Sequence, residues 1–145
     1  MNINSTILSG AGAANELQYL FQGMKRALVI TDVNVVRLAP VQKIIEQIQS
    51  CFQECQVVDS VPPEPKHQDV AEIIKQTTLH NVDVVVGIGG GSVLDVAKLM
   101  SLLCATDPAI TLESLLAGQK PTTKVKSLLI PTTAGTGSEA TPNAI

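Results

Sequence analysis

The fold is decided by residues 82–92, which read VDVVVGIGGGS. The β-branched run at the start of this stretch predicts a buried strand over residues 82–86. The glycines that follow predict a tight turn from this strand into a helix over residues 93–104, which is apolar nearly all round. A strand that turns on glycines into a deeply packed helix is typical of α/β domains with parallel sheets.

The glycine turn predicts a phosphate cradle at Gly89, Gly90, Gly91 and Ser92. Glycine lets backbone N–H groups approach a phosphate because no Cβ stands in the way, and a helix N-terminus adds partial positive charge. The turn matches neither a Walker A loop nor a regular G-x-G-x-x-G motif. A purely structural turn is the alternative, in which Ser92 caps the helix and Asp95 completes a capping box.

Short β-branched runs alternate with helical patterns along the rest of the chain. Strands are predicted over residues 27–31, 55–58 and 125–130, with an edge strand around Ile7. Helices are predicted after the polar start signals Asp32 and Asn34, and over residues 13–21, 66–79 and 112–116. Because strands separated by helical crossovers form βαβ units, the fold class is α/β, with a doubly wound, mostly parallel sheet flanked by helices.

The composition is that of one globular domain. The 145 residues are 45% hydrophobic and 16% charged, with a formal net charge of −3, which excludes a disordered chain. The ten Lys and Arg residues are scattered, which argues against a nucleic-acid partner, and no apolar run reaches the roughly 20 residues of a membrane span. Cys51, Cys55 and Cys104 are sparse, so we expect a reducing, cytoplasmic setting. For Cys51 and Cys55, two buried or half-buried thiols are favoured over a metal-binding pair.

Polar side chains collect where the predicted strands end, and in open α/β sheets ligands bind outside these carboxyl ends. Asp32 ends one strand, where a carboxylate either accepts hydrogen bonds from ribose hydroxyls or caps the next helix. The stretch after Ile130 is either part of the same site or a polar turn. Its hydroxyl side chains include Thr132, Thr133, Thr136 and Ser138.

The chain offers little acid–base chemistry. His67 and His80 have no acid and nucleophile near them in sequence, so no catalytic triad is predicted. Asp95 and Lys98 are one helical turn apart and either form an ion pair or face the cleft. The residues by themselves therefore predict a cofactor cradle, with no catalytic and no metal-ligating residue.

Two long stretches resemble motifs of the iron-containing, metal-dependent alcohol dehydrogenases. Residues 89–98, GGGSVLDVAK, are similar to the family's GGGSxxDxAK motif. Residues 131–141, PTTAGTGSEAT, are similar to its PTTAGTGSEVT motif, with Ala140 in place of the usual valine. The resemblance covers essentially the whole chain, and it implies that residues 1–145 are the Rossmann-like, dinucleotide-binding domain of such an enzyme.

This resemblance implies a role for each matching residue. Gly90, Gly91 and Ser92 would contact the pyrophosphate of NAD or NADP, and Asp95 would lie near the nicotinamide. The second motif would line the nucleotide cleft through Thr132, Thr133 and Thr136, with Ser138 nearby.

The resemblance favours NAD over NADP. Asp32 matches the acid that holds the adenosine ribose, where it would repel a 2′-phosphate. The proline-rich turn departs from the family pattern, because Glu64 and Lys66 replace the usual Asn and Thr. NADP stays open as an alternative, since Lys66 could offset the negative charge.

The activity implied is hydride transfer between nicotinamide and a small alcohol or aldehyde. A divalent metal, Fe or Zn, would be held by a helical domain whose ligands lie beyond Ile145. We therefore expect a truncated chain that binds dinucleotide and turns over no alcohol. The alternatives are a glycerol dehydrogenase, a maleylacetate reductase, a dehydroquinate synthase-like enzyme, or a non-catalytic nucleotide-binding module. A homodimer through the edge strand around Ile7 is expected, with no nucleic-acid or membrane partner.

Overall fold

The computed structural model describes residues 5–7, 21–104, 111–119 and 125–132. Within these residues the strands are β1 (Ser5–Ile7), β2 (Arg26–Ile30), β3 (Glu54–Val58), β4 (Val84–Gly89) and β5 (Lys126–Pro131). They form one five-stranded sheet in the order β1-β5-β4-β2-β3, and every neighbouring pair is parallel. The predicted α/β class, with a doubly wound parallel sheet, is confirmed, as is an edge strand that includes Ile7.

The described helices are α1 (Ala39–Cys51), α2 (His67–Gln76), α3 (Gly91–Leu103) and α4 (Leu112–Leu116). None of them is long and apolar enough to cross a membrane. The helix predicted over residues 13–21 lies outside the described residues, except for Phe21, which is in a turn.

The helix predicted after Asp32 and Asn34 is present, but it begins later than these start signals indicate. The chain first makes a 3-10 turn (Val35–Arg37), and α1 begins only at Ala39, with a proline in its first turn. Proline has no N–H to donate and disfavours a helical conformation in the residue before it, so a helix can start at this point but cannot run through it.

The central strands β2, β4 and β5 are buried on both faces, which explains their continuous apolar runs. Along β2, Ala27 and Val29 pack into a core cluster that includes α1. Leu28 and Ile30 point to the opposite face and pack into a second cluster that includes α2 and α3. This alternation places α1 on one side of the sheet and the glycine-initiated helix α3 on the other.

Strand β4 continues through the glycines that the sequence pattern assigned to a turn. Its pairing with β5 extends from Val84 to Gly89, which is opposite Pro131. A Cβ atom on Gly87 would lie 2.6 Å from the Cβ of Ala97, so the glycine is required for α3 to pack closely on the strand. The predicted strand end at residue 86 is therefore three residues too early.

All three cysteines are free thiols that pack against the core. The described residues contain no group of three His, Cys, Asp or Glu side chains that could hold a metal ion. Burial raises the pKa of the Cys55 and Cys104 thiols from the ordinary value of 9.0 to about 11, because a thiolate is poorly solvated there. These two residues are structural thiols at neutral pH.

We expect Cys55 and Cys104 to resist alkylation at neutral pH, and the free energy of unfolding to fall between pH 9.0 and 11. The folded chain keeps these protons to a higher pH than the unfolded chain does. The contribution of these two thiols to the free energy of unfolding is therefore complete below the pKa that they have in the unfolded chain. It is lost as the pH rises through the higher pKa that they have in the folded chain. Mass-spectrometric mapping of maleimide adducts and urea titrations across this range test both points. Rapid labelling of either thiol in the native chain would contradict the assignment.

Candidate functional site

The carboxyl ends of the three central strands are tied together by hydrogen bonds. The buried hydroxyl of Thr31, which follows β2, donates to the Ile88 carbonyl of β4 at 2.7 Å. Beside β5, the Thr132 N–H donates to the Gly89 carbonyl at 2.9 Å. The two acceptor residues, Ile88 and Gly89, are the last two before Gly90, so these hydrogen bonds hold the start of the glycine turn in a defined position.

A cleft of about 820 Å³ opens at this edge of the sheet. It is lined by three residues that the sequence pattern had assigned to one site, namely Asp32, Gly90 and Thr132. Residues of the 3-10 turn after β2 and of the proline-rich loop after β3, including Pro62 and Pro63, also line it. Its volume falls within the range of pockets that hold small ligands and cofactors.

The glycine turn leaves the N-terminus of α3 without a side-chain cap. Gly90 is the N-cap residue, and among the described residues no side chain caps the first turn. A Cβ atom on Gly90 or Gly91 would have no heavy atom of the described residues within 4 Å, so this part of the chain leaves the backbone open to an approaching group. The uncapped N–H groups and the helix dipole together favour an anion here.

The predicted capping box of Ser92 and Asp95 is wrong. Because α3 begins at Gly91, Ser92 lies inside the first turn and cannot occupy the N-cap position. Its hydroxyl instead donates to the Pro63 carbonyl at 2.7 Å. Asp95 is exposed one turn further along the helix.

Asp32 closes the turn after β2 and does not cap a helix, since the N-cap residues of the 3-10 turn and of α1 are Asn34 and Leu38. It keeps one carboxylate oxygen for another partner. Its Oδ1 accepts hydrogen bonds from the Asn34 and Val35 N–H groups, at 2.9 and 2.7 Å, which shape the turn after β2. No described residue donates to its Oδ2. Thr132, which lines the same cleft, has a buried Oγ1 with no hydrogen-bond partner among the described residues. A buried polar atom without a partner is costly, so a ligand that bonded to Thr132 would relieve that cost.

Asp95 and Ser92 line a second cavity of about 340 Å³, together with Lys66 and His67. Lys66 lines this cavity and not the larger cleft, where the departure from the family pattern had left it open that Lys66 could offset the negative charge. Arg37 is the cationic side chain on the wall of the larger cleft. Asp95 and Lys98 do not form an ion pair, since the one salt bridge among the described residues joins Arg26 and Glu54 at 3.1 Å.

Two charged residues of the cleft were missed by the sequence reasoning. Asp59 follows β3 as Asp32 follows β2, so the same strand-end rule could have found it. Arg37 lies in the 3-10 turn, and no sequence signal indicated that this turn would bring it to the cleft. Thr133, Thr136 and Ser138 lie outside the described residues.

A parallel sheet flanked by helices, with a cleft at the carboxyl ends of its strands, defines a Rossmann-like α/β domain. Comparison with known sequences then identifies the family. The chain belongs to the iron-containing alcohol dehydrogenases, whose family model matches residues 4–145.

Curated relatives and solved structures agree with this assignment. The chain is 35% identical over 121 residues to long-chain-alcohol dehydrogenase 1 of Geobacillus thermodenitrificans, covering 82% of this chain and 31% of the relative. It is 32% identical over 149 aligned positions to lactaldehyde reductase of Escherichia coli K12, and the alignment covers 100% of this chain and 39% of that protein. The crystal structure of an iron-containing alcohol dehydrogenase from Thermotoga maritima superposes with a TM-score of 0.77 at 26% identity. The superposition covers 98% of this chain and 40% of that protein. The chain thus spans less than half the length of these proteins.

Proposed function

We propose that this chain forms the NAD-binding part of an alcohol dehydrogenase, which transfers a hydride between nicotinamide and a small alcohol or aldehyde. The observation that carries the proposal is the uncapped glycine turn, which opens onto a cleft shared by Asp32 and Thr132. When bound, NAD supplies the carbon that accepts the hydride.

Each part of the cleft suits one part of the dinucleotide. The backbone of Gly90 and Gly91, with the first N–H groups of α3, would bind the pyrophosphate. Asp32 Oδ2 would accept a hydrogen bond from the adenosine ribose, and the buried hydroxyl of Thr132 would bond to the ligand. It stays a prediction that Gly89 contacts the cofactor and that Asp95 lies near the nicotinamide ring.

The described residues carry no argument for the metal site, the remaining cleft residues, the dimer or the cellular location. The described residues offer no metal site, so no step is assigned to a metal ion. Roles for Thr133, Thr136 and Ser138 in the cleft stay predictions. A homodimer through the edge strand β1 and a cytoplasmic location stay predictions too.

Calorimetric titration of the chain with NAD, NADP and ADP tests the proposal. We expect saturable binding of all three nucleotides, with NAD preferred over NADP, and no alcohol oxidation by the metal-stripped chain. A chain that binds no adenine nucleotide would overturn the proposed site. Robust NAD-dependent alcohol oxidation by the metal-stripped 145-residue chain would overturn the view that it supplies only cofactor binding.

We expect Asp32→Asn to shift the preference toward NADP by about tenfold relative to NAD. The amide oxygen can still accept hydrogen bonds from Asn34 and Val35, so the turn is kept while the charge that repels a 2′-phosphate is removed. Titration with both cofactors measures the ratio. Asp59→Asn removes the other carboxylate of the cleft and serves as the matched control, with a smaller expected change. An unaltered ratio in Asp32→Asn would remove Asp32 from cofactor selection.

A further inference from the structure

The hydroxyl of Ser92 joins two parts of the chain that are 29 residues apart. It donates to the Pro63 carbonyl at 2.7 Å and thereby connects the first turn of α3 to the proline-rich loop between β3 and α2. Pro63 lines the large cleft, whereas Ser92 lines the smaller cavity beside it. The hydrogen bond therefore crosses the boundary between the two.

A serine hydroxyl carries a single proton, so it donates one hydrogen bond at a time. The proton that Ser92 gives to Pro63 is not available to a phosphate oxygen. Anion binding at the glycine turn is then left to the backbone N–H groups, which have no side-chain cap. This differs from the direct pyrophosphate contact that the family resemblance implies for Ser92.

The start of the proline-rich loop is anchored by the buried side chain of Val61 and by a hydrogen bond from Ser60 to Gln76, whereas the two prolines that follow have fewer attachments. Pro62 and Pro63 have no backbone N–H, so neither can donate a hydrogen bond that would anchor the loop. At the start of the loop, the Val61 N–H donates to the Thr31 carbonyl at a long 3.4 Å. The bond from Ser92 to Pro63 is by contrast short and lies beside the glycine turn.

We propose that Ser92 is a positioning residue, whose hydrogen bond to Pro63 fixes the proline-rich loop as one wall of the adenosine half of the cleft. The inference rests on the proposed function, because the adenosine half is assigned through Asp32. Ser92 would act through the loop: Pro62 and Pro63 line the large cleft, and the hydrogen bond from Ser92 to the Pro63 carbonyl holds them in place there.

The test compares adenosine, which has no phosphate, with ADP, by calorimetry and by competition against NAD. In Ser92→Ala we expect both ligands to lose affinity by the same factor, about 2- to 10-fold, because the loop wall is loosened for each of them. Ser92→Thr keeps a hydroxyl and is expected to restore both affinities. Ser50→Ala is the matched control, since it removes a serine-to-carbonyl bond of the same 2.7 Å length on α1, where Ser50 bonds to Gln47.

The outcomes separate this inference from the proposed function. A loss for ADP with adenosine unchanged would show that Ser92 contacts phosphate directly and would overturn the positioning role. Unchanged binding of both ligands to Ser92→Ala would overturn it as well. Failure of the unaltered chain to bind either ligand would instead overturn the proposed function, and the inference with it.

Discussion

Gly87→Ala is expected to lower the free energy of unfolding by about 2–3 kcal/mol, because it overpacks the contact between β4 and α3. The new methyl carbon would lie 2.6 Å from the Ala97 Cβ and 3.5 Å from side-chain carbons of Leu94 and Leu129. Ala97 is fully buried, and its Cβ is attached directly to the helix backbone, so no rotamer change can relieve the contact. The whole of α3 would have to move away from the sheet.

Urea unfolding followed by far-ultraviolet circular dichroism measures this loss. Gly90→Ala is the matched control, because a Cβ there has no heavy atom within 4 Å in the part of the chain that the structure describes, and the expected change is below about 1 kcal/mol. The double variant Gly87→Ala, Ala97→Gly moves the methyl group across the interface. It is expected to be less destabilised than the sum of the two single variants, although a mid-helix glycine costs about 1 kcal/mol. A Gly87→Ala chain as stable as the parent would rule out the close contact between strand and helix.

Gly90→Ala is expected to leave the fold intact while weakening dinucleotide binding by about 10- to 100-fold. The backbone of Gly90 is extended, with φ −80° and ψ −172°, a conformation that alanine adopts without strain. The added methyl group would occupy space at the edge of the cleft, where the proposed pyrophosphate approaches the N-terminus of α3. Stability and binding should therefore separate in this variant.

Calorimetric titration with NAD and ADP, beside a urea titration of the same sample, tests that separation. Ser50→Ala, which alters a hydrogen bond of α1 remote from the glycine turn, should bind both ligands as the unaltered chain does. Full affinity in Gly90→Ala would place the phosphates away from the glycine turn. A large loss of stability would show that Gly90 serves the fold as much as the ligand.

Much of the fold follows from local patterns. The β-branched runs predict parallel strands, and Pro40 could have placed the start of α1 from the sequence alone. The end of β4 could not be found in this way. Glycine usually interrupts a local strand pattern, yet Gly87 and Gly89 continue the strand because they pair with residues of β5. Since these partners are some 40 residues away in the chain, a local pattern does not reveal them.

The sequence by itself determined that this protein has a parallel α/β sheet, a glycine turn before α3, and an acid, Asp32, at a strand end. Those features depend on residue type and spacing, which are local properties. Only the tertiary structure decided the partner of Ser92 and which cation, Arg37 or Lys66, lines the large cleft. A hydroxyl bonds to whichever acceptor the fold brings within reach, and in this protein that acceptor is the Pro63 carbonyl, so the local capping pattern is overridden.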